Sequence, residues 1–500
     1  MKRDYKKIYK NIRLDGFFSE YLPPCFKLDE KMFKNPSPAN CDLIQPYSFT
    51  MSRFNSNDSR RTIFIPEIGA YSALNEYIEN NQILEELTDF IDDNSLSFSK
   101  VIMEDSSIRK HEQVYGRGTI KGEKINSQYM DNVVKKIIMS AGAKKVLKLD
   151  IANCFSSFYT HYIPAIIMGY EEAEESYKKA QQLGTMDNNY KKYSNLDTII
   201  RRQNKNQTNG LLVGPIISKI IVEGLLTRID IELKNQGVSF SRYVDDYEVY
   251  LFEADEERIK SLFVSVLKKY GLNLNFEKTE VVDFPYYVVR NFDRLIEIYR
   301  DNKANDYDLI KLFNDFFEIE KSGTKGAIRY LLKSLMNNSI DFKNKELFDS
   351  YILTIMSNDS RSLTKACSLL IDNSLTSKLN EQHVNKLKRM TVININKEYD
   401  LEVIWLLYLL IETNNITLDD EIVKSIIESN NELAQLMVLR KNLTSNIEKI
   451  SQNAKSWILN YELFADDFIN IDELCNRLSI DHNKGMYQKL KERRLHFCYQ

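Results

Sequence analysis

The stretch SRYVDDYEVYL, residues 241–251, places two adjacent aspartates inside a run of aromatic and β-branched residues that is typical of a buried strand. Burying carboxylates is costly unless a positive group meets them, so either the chain turns at these acids or a cation binds there. Because consecutive strand residues point to opposite faces, a tight hairpin would expose both Asp245 and Asp246 at its tip. The stretch therefore predicts a β-hairpin that carries carboxylates at its tip.

A third acid ends another predicted strand, VLKLD, whose last residue is Asp150. If this strand end lies beside the hairpin tip, the three carboxylates form a cluster that needs cations, and all-oxygen ligands select Mg²⁺ or Mn²⁺. Two such ions about 4 Å apart activate an attacking hydroxyl and stabilise the leaving phosphate in nucleotidyl transfer. Spacing alone leaves a purely structural hairpin open as the alternative.

Aspartate pairs by themselves carry little information in this chain. The pairs at 92–93, 419–420 and 466–467 repeat the motif, and FADD, residues 464–467, even looks like YVDD. The acids around Asp466 and Asp467 recur at helical surface spacing, however, and no strand ending in aspartate lies nearby. This segment therefore predicts a solvated helix face.

The chain's size and charge limit the possible classes of protein. Its 500 residues, 43% of them hydrophobic, are too many for a single core, so we expect more than one domain. A net charge of −3 gives no overall sign of nucleic-acid binding, although 68 Lys and Arg residues could line a local basic channel. Six cysteines without a CxxC pair argue against a zinc site or a disulfide framework. With no apolar run of membrane-spanning length, these features predict a reduced, cytoplasmic protein without a membrane partner.

The hydrophobic pattern changes along the chain. Residues 60–66, 146–150 and 272–276 alternate as strands do, and an amphipathic helix begins near Asp255 and ends before Gly271. Up to residue 290 we therefore expect an α+β domain with an antiparallel sheet. Beyond about Asp301 the apolar residues follow helical periods separated by Asn, Asp and Ser linkers. Residues 291–500 are thus predicted to form an all-α helical-repeat (HEAT-like) domain, although no clean sequence repeat is present.

Four segments resemble, in order, motifs A, B, C and D of the reverse-transcriptase palm: LKLDIANCFSSFYTHYIP, GLLVGPIISKIIVE, SRYVDDYEVYL and GLNLNFEKTEV. The stretches RRTIFIPEIGAYSALNEYI and GTKGAI make the resemblance closer to the abortive-infection (Abi) reverse transcriptases, the group that includes AbiK and the prophage-encoded Abi polymerases. The resemblance covers roughly residues 15 to 340. It implies a reverse-transcriptase-like palm and fingers domain before the helical region.

The resemblance assigns metal and nucleotide roles to particular residues. Asp150, Asp245 and Asp246 would be catalytic and would hold two Mg²⁺ or Mn²⁺ ions, and Ile151 would belong to both the metal site and the nucleotide site. Phe155, five residues after Asp150, matches the steric gate, whose aromatic ring fills the space of a ribose 2′-OH and so selects deoxynucleotides. A core phenylalanine on the helix after the strand is the alternative.

The resemblance also supplies cationic residues for the triphosphate. Lys278 matches the motif D lysine that acts on the departing pyrophosphate. Arg60 and Arg61 match the fingers position whose guanidinium groups hold the triphosphate. A solvated lysine and a surface arginine pair are the alternatives.

Motif B departs from the usual pattern. Gly210, Gly214, Pro215 and Ser218 match its frame, in which small residues let the backbone approach the incoming base pair. Ordinary reverse transcriptases have Pro-Gln before the second glycine, but this chain has Leu212 and Val213. The missing amide puts ordinary templated copying in doubt.

The resemblance implies a bacterial or prophage-encoded DNA polymerase that uses dNTPs without a template, acting in anti-phage abortive infection as a homo-oligomer. Its DNA product would be attached covalently to a priming tyrosine, since a tyrosine hydroxyl can replace a primer 3′-OH. The N-terminal candidates are Tyr5, Tyr9, Tyr21 and Tyr47. Two alternatives stay open: an RNA-templated enzyme of retron or group II type, and a catalytically silent helical scaffold.

Overall fold

The computed structural model of the chain describes most of its residues, and none of its described helices is both long and apolar enough to cross a membrane. The NPSPAN segment, residues 35–40, whose Pro, Asn and Ser content predicts a loop, lies outside the described residues. The described residues are 3–30, 42–53, 56–110, 129–253, 255–287, 292–297, 299, 305–337, 342–372, 376 and 378–499.

Strands and helices interleave before residue 290, as the sequence predicts. The elements are α1 (Tyr5–Asp15), β1 (Tyr47–Arg53), β2 (Ser56–Ile65), α2 (Ile68–Asn80), α3 (Ile83–Asn94), α4 (Tyr129–Met139), β3 (Lys145–Asp150), α5 (Cys154–Ser157), α6 (Ile163–Met168), α7 (Tyr170–Leu183), α8 (Asn188–Arg202), α9 (Ile216–Asn235), β4 (Phe240–Tyr243), β5 (Asp246–Leu251), α10 (Glu256–Lys269) and β6 (Glu280–Asp283).

The expected antiparallel sheet is present. Its four strands lie in the order β4-β5-β3-β6, and each neighbouring pair is antiparallel. A separate antiparallel hairpin joins β1 to β2. Since β3 and β5 are the two inner strands, they bury Leu147, Leu149, Tyr247 and Val249 against a core that α9 and α10 complete. The register of this central pair decides which strand-end residues meet.

Residues 272–276 were predicted as a strand, and this prediction is wrong. Only a single bridge forms, between Ile151 and Leu274, and a 3₁₀ turn follows at Phe276–Lys278. The segment passes the end of β3, where the Asn275 N–H donates to the Asp150 carbonyl at 2.8 Å. Because residues 272–276 pass only the end of β3, they have too few backbone partners there to pair as a strand. The neighbouring strand of β3 is instead β6.

After residue 291 the described elements are helical, which confirms that part of the prediction, whereas a HEAT-like repeat stays a prediction. The helices are α11 (Phe292–Glu297), α12 (Asp306–Lys321), α13 (Ala327–Asn337), α14 (Lys345–Asn358), α15 (Leu363–Asp372), α16 (Glu381–Asn396), α17 (Asp400–Glu412), α18 (Glu421–Glu428), α19 (Glu432–Arg440), α20 (Ile447–Asn453), α21 (Trp457–Ala465), α22 (Ile471–Leu478) and α23 (Lys484–Glu492), with a 3₁₀ turn at Ser360–Ser362.

Two hydrophobic cores organise the described residues. The smaller core lies under the four-stranded sheet, and the larger one joins the N-terminal segment and the β1-β2 hairpin to the helical region. Within the larger core Phe17 packs against Trp457 and Phe497, with ring centroids 6.2 and 5.9 Å away. The predicted boundary between residues 290 and 291 stays a prediction, and the larger core draws residues from both sides of it.

Candidate active site

The β4-β5 hairpin turns where the sequence predicts it. Tyr243 pairs with Asp246, so Val244 and Asp245 form the two-residue turn. Val244 has a φ of +56°, a left-handed value that the first central residue of the favoured hairpin turns takes and that a β-branched side chain disfavours. The tight turn places Asp245 and Asp246 at the tip.

The third acid meets this tip through strand register. Asp150 lies directly opposite Asp246 in the β3-β5 ladder, and the Ile151 N–H donates to the Asp245 carbonyl at 3.3 Å. The carboxyl groups of Asp150 and Asp246 are close enough to share a hydrogen bond. The structure thus brings together three acids that are distant in the chain.

Asp150 is the most enclosed of the three, with 7% of its surface exposed. Its Oδ1 accepts from Lys278 Nζ at 2.9 Å, and its Oδ2 accepts from Asn275 Nδ2 at 2.9 Å. Lys278 therefore reaches the acid cluster, as its assignment requires. The sequence did not indicate a role for Asn275, because this residue lies within the alternating stretch 272–276, which was predicted as an ordinary strand.

The electrostatics of the tip favour a bound cation. Desolvation, followed by the charge of Asp150, raises the pKa of Asp245. Around Asp246, crowding by protein atoms is the largest cause even though the side chain reaches solvent, and with the charges of Asp245 and Asp150 it raises the pKa of Asp246 to about 7. Carboxylates that resist ionisation together are stabilised by a divalent ion, so the donor set fits Mg²⁺ or Mn²⁺.

This shift predicts a pH effect on stability in EDTA. The pKa of Asp246 lies above its ordinary value of 3.8, so between about pH 4 and 7 the folded chain binds more protons than the unfolded chain. Stability should therefore fall as the pH rises through this window. We expect the melting temperature to fall less between pH 5 and 7 in Asp246→Asn than in the wild type. Equal slopes in thermal melts would contradict the assignment.

Phe155 lies on α5, directly after the strand that carries Asp150. Its side chain is partly buried against the smaller core, and its carbonyl accepts from the Leu211 N–H at 2.8 Å. The Gly210 N–H donates to the Phe158 carbonyl at 2.8 Å. These bonds hold the start of the motif B segment alongside the predicted gate.

Gly214 sits where another chain segment approaches closely. Its φ is +137°, and a Cβ there would lie 2.5 Å from the Phe64 carbonyl oxygen of β2. The Phe64 N–H also donates to the Val213 carbonyl at 2.7 Å. Pro215 follows as the N-cap of α9, and Ser218 is buried in its first turn. Motif B is thus bonded directly to the β1-β2 hairpin.

The two fingers arginines face different partners, because adjacent strand residues point to opposite sides. Arg60 binds both carboxylate oxygens of Glu402, at 2.6 and 2.7 Å, and its guanidinium lies 3.9 Å from the ring centroid of Tyr399. Arg61 instead interacts electrostatically with Asp245. The structure therefore brings Arg61 to the acid cluster and ties Arg60 to the helical region.

A second acidic group lies far from the hairpin in the chain. Glu462, Asp466 and His496 could share a cation among the described residues. Protein donors already occupy them: Arg440 donates to both oxygens of Asp466, at 2.9 and 2.8 Å, and the Phe497 N–H donates to Glu462 at 2.6 Å. We interpret this group, which includes the FADD aspartate, as structural.

Three of the tyrosines named as primer candidates are enclosed to different degrees. Tyr9 donates its hydroxyl to Glu85, and Tyr47 is 8% exposed with its hydroxyl accepting from the Leu433 N–H at 3.4 Å. Burial raises the pKa of Tyr21, while Arg61 and Arg329 oppose that shift. Arg61 therefore interacts electrostatically with both Tyr21 and Asp245.

Comparison with known proteins adds a family model. Residues 57–331 match the model described as reverse transcriptase (RNA-dependent DNA polymerase), which is more than half of the chain. No curated protein matches the chain.

Solved telomerase structures are similar at low identity. Telomerase from Candida albicans, in complex with a TWJ fragment of telomeric RNA, has 13% identity and a TM-score of 0.30, covering 73% of this chain and 64% of that one. Apo telomerase from Candida tropicalis has 11% identity and a TM-score of 0.33, covering 91% and 70%. The chain thus spans less than two thirds of the first of these proteins, and TM-scores this low support no argument about function.

Proposed function

The chain belongs to the reverse transcriptase (RNA-dependent DNA polymerase) family, and on this premise we propose that it is a metal-dependent DNA polymerase acting on dNTPs. Reverse transcriptase domains depend in general on divalent metal ions. The observation that carries the proposal is the meeting of Asp150, Asp245 and Asp246 at one hairpin tip. These acids, with Ile151, would hold two Mg²⁺ or Mn²⁺ ions.

The chain's own residues suit nucleotidyl transfer. When bound, the ions activate the attacking hydroxyl and stabilise the leaving phosphate. Asn275 and Lys278 orient Asp150, and Lys278 also places a positive charge beside the site for the pyrophosphate. Arg61 supplies a multidentate cation for the triphosphate. Arg60 has the role of fixing the hairpin that presents Arg61.

We propose that synthesis needs no template. In the reverse-transcriptase palm that the chain resembles, motif B lies against the incoming base pair. Here Val213 packs against the larger core, and its carbonyl is bonded to β2 through Phe64. The backbone bond between β2 and motif B, together with the absent Pro-Gln, supports a site that does not read a template strand.

Cationic side chains of the helical region support a phosphate-bearing ligand, which we assign to the growing DNA. Arg329 and Lys333 lie one turn apart on α13, and Lys365 on α15 is 2% exposed. Burial and then the charges of Arg329 and Lys333 lower the pKa of Lys365. The charge of Glu20 opposes this shift, and a phosphate would add to that compensation. Arg329 also interacts electrostatically with Tyr21.

The position of Tyr21 favours it as the priming residue among the candidates. The remaining parts of the proposal follow from the resemblance to Abi enzymes: covalent attachment of the DNA, anti-phage abortive infection, a homo-oligomer in a bacterial cytoplasm, and a HEAT-like helical domain.

One incubation tests the proposal. The purified protein receives Mg²⁺ and each labelled nucleotide, without template or primer, and is then run on a denaturing gel. We expect label from dNTPs, and not from NTPs, to stay with the wild type and to be lost in Tyr21→Phe. Incorporation only with added RNA would support the templated alternative. No incorporation under any condition would support the scaffold.

Removing the predicted gate should relax sugar selection. We expect Phe155→Ala to lower the preference for dNTPs over NTPs by about 10- to 100-fold, since one steric contact contributes about 1–3 kcal/mol of discrimination. The measurement is kcat/KM for matched dNTP and NTP. Phe276→Ala, which removes an exposed ring near the same site, is the control. Unchanged selectivity in Phe155→Ala would exclude the gate role.

A further inference from the structure

The backbone at the hairpin tip is held in an unfavourable conformation. A left-handed φ at a valine is strained and persists only where the surroundings impose it. Val244 immediately precedes Asp245, so any relaxation of its backbone would move the acid.

Two side chains fix the Val244 backbone from opposite directions. The Val244 N–H donates to Ser99 Oγ at 2.7 Å, and the Val244 carbonyl accepts from an Arg242 terminal nitrogen at 2.8 Å. Both polar groups of this residue are therefore committed to named partners.

Ser99 is itself held in place by a serine ladder, which we define as Ser95, Ser97 and Ser99. Each following N–H donates to the preceding hydroxyl, Ser97 to Ser95 at 2.9 Å and Ser99 to Ser97 at 3.1 Å. The hydroxyls of Ser97 and Ser99 are 3.0 Å apart. Ser97 also forms an isolated parallel β-bridge with Arg242 of β4, so the serine ladder lies beside the β4-β5 hairpin.

The arginine is equally constrained. Arg242 is fully buried and donates to both oxygens of Glu223 and both oxygens of Asp230, at 2.8 to 3.1 Å. Ser95 donates to Glu223 at 3.2 Å, which connects the ladder to this ion cluster. The two supports of Val244 thus belong to one network.

We propose that Ser99 is a positioning residue for the nucleotidyl-transfer site, which holds the Val244 peptide so that Asp245 meets Asp150 in a metal-binding arrangement. This inference rests on the proposed function for its chemistry, and Ser99 itself touches no substrate. A hydrogen bond of ordinary strength, about 0.5–1.5 kcal/mol, corresponds to about 2- to 10-fold in the affinity for the ions.

Matched serine variants test it. Ser99→Ala removes the bond to Val244, whereas Ser241→Ala removes a buried hydroxyl of the same hairpin that contacts Tyr250, at 2.8 Å. We expect both to lower the melting temperature similarly, but only Ser99→Ala to weaken Mn²⁺ binding by up to about tenfold in calorimetric titrations. In turnover assays it should lower kcat more than it changes KM for dNTP. Ser99→Thr, which keeps the hydroxyl, should restore both.

A second variant covers a failure of Ser99→Ala to fold. Val244→Gly keeps the bond to Ser99, which the backbone N–H makes, and can adopt the same left-handed φ without the strain of a valine, so we expect a higher melting temperature. Ser99→Ala made in this stabilised background should fold and should still weaken Mn²⁺ binding relative to Val244→Gly alone. Mn²⁺ affinity that Ser99→Ala leaves unchanged, in whichever background folds, would overturn the positioning role. A wild type that binds Mn²⁺ normally but incorporates no nucleotide would refute the proposed function alone, since the affinity comparison still decides the role of Ser99.

Discussion

Asp245→Asn is expected to abolish nucleotide incorporation, by at least about 10³-fold, without destabilising the protein. The loss follows because ions held by the acids contribute several kcal/mol to the transition state, and each 1.36 kcal/mol is tenfold in rate. Desolvation and the charge of Asp150 raise the pKa of Asp245, so its carboxylate is unfavourable in the folded protein without metal. The neutral amide should therefore melt at the same or a higher temperature in EDTA at pH 7.

Magnesium separates this effect from a structural one. Mg²⁺ should raise the melting temperature of the wild type, because it binds the folded state, but not that of Asp245→Asn. Asp466→Asn is the matched control, since it removes an aspartate from the similar FADD stretch that binds Arg440. Incorporation should survive in this control. An active Asp245→Asn protein, or one that loses activity by unfolding, would contradict the site.

Arg242→Met should cost about 3–5 kcal/mol of unfolding free energy. The substitution leaves Glu223 and Asp230 buried without their cation, and such uncompensated charges account for costs of this size. Denaturant unfolding measures the change.

An exposed arginine provides the comparison. Arg258 pairs with Asp255 at 2.7 Å, but its side chain is 61% exposed, so Arg258→Met should change stability by less than about 1 kcal/mol. Adding Glu223→Gln and Asp230→Asn to Arg242→Met should recover part of the loss, because the uncompensated charges are then gone. Similar costs for Arg242→Met and Arg258→Met would show that the buried cluster contributes little.

The sequence indicated the hairpin because its signals are local. Strand-like residues on both sides of Asp245 and Asp246 leave a turn as the natural solution, and Asp150 ends its own strand. The pairing of Asp150 with Asp246 depends on register between distant strands, which the family resemblance supplied and local pattern did not. The predicted solvated helix face at Asp466 and Asp467 is wrong, because both residues follow the end of α21 at Ala465 and Asp466 is ion-paired with Arg440.

Other features depend on partners that no local pattern contains. Which of Arg60 and Arg61 faces the acids depends on Glu402, 342 positions away. The segment at 272–276 alternates like a strand, yet it meets only the end of β3. Ser99 reads as an ordinary polar residue until the fold brings it to Val244, 145 positions away.

The larger core has a consequence for synthesis on the ribosome. The indole N–H of Trp457 donates to the carbonyl of Ile65, in the β1-β2 hairpin, at 3.4 Å, although the two residues are 392 positions apart in the chain. Contacts of such long separation form late, since the chain between them must first be made and ordered. The β1-β2 hairpin therefore gains this support only after Trp457 has been translated, when all three acids are already part of the nascent chain.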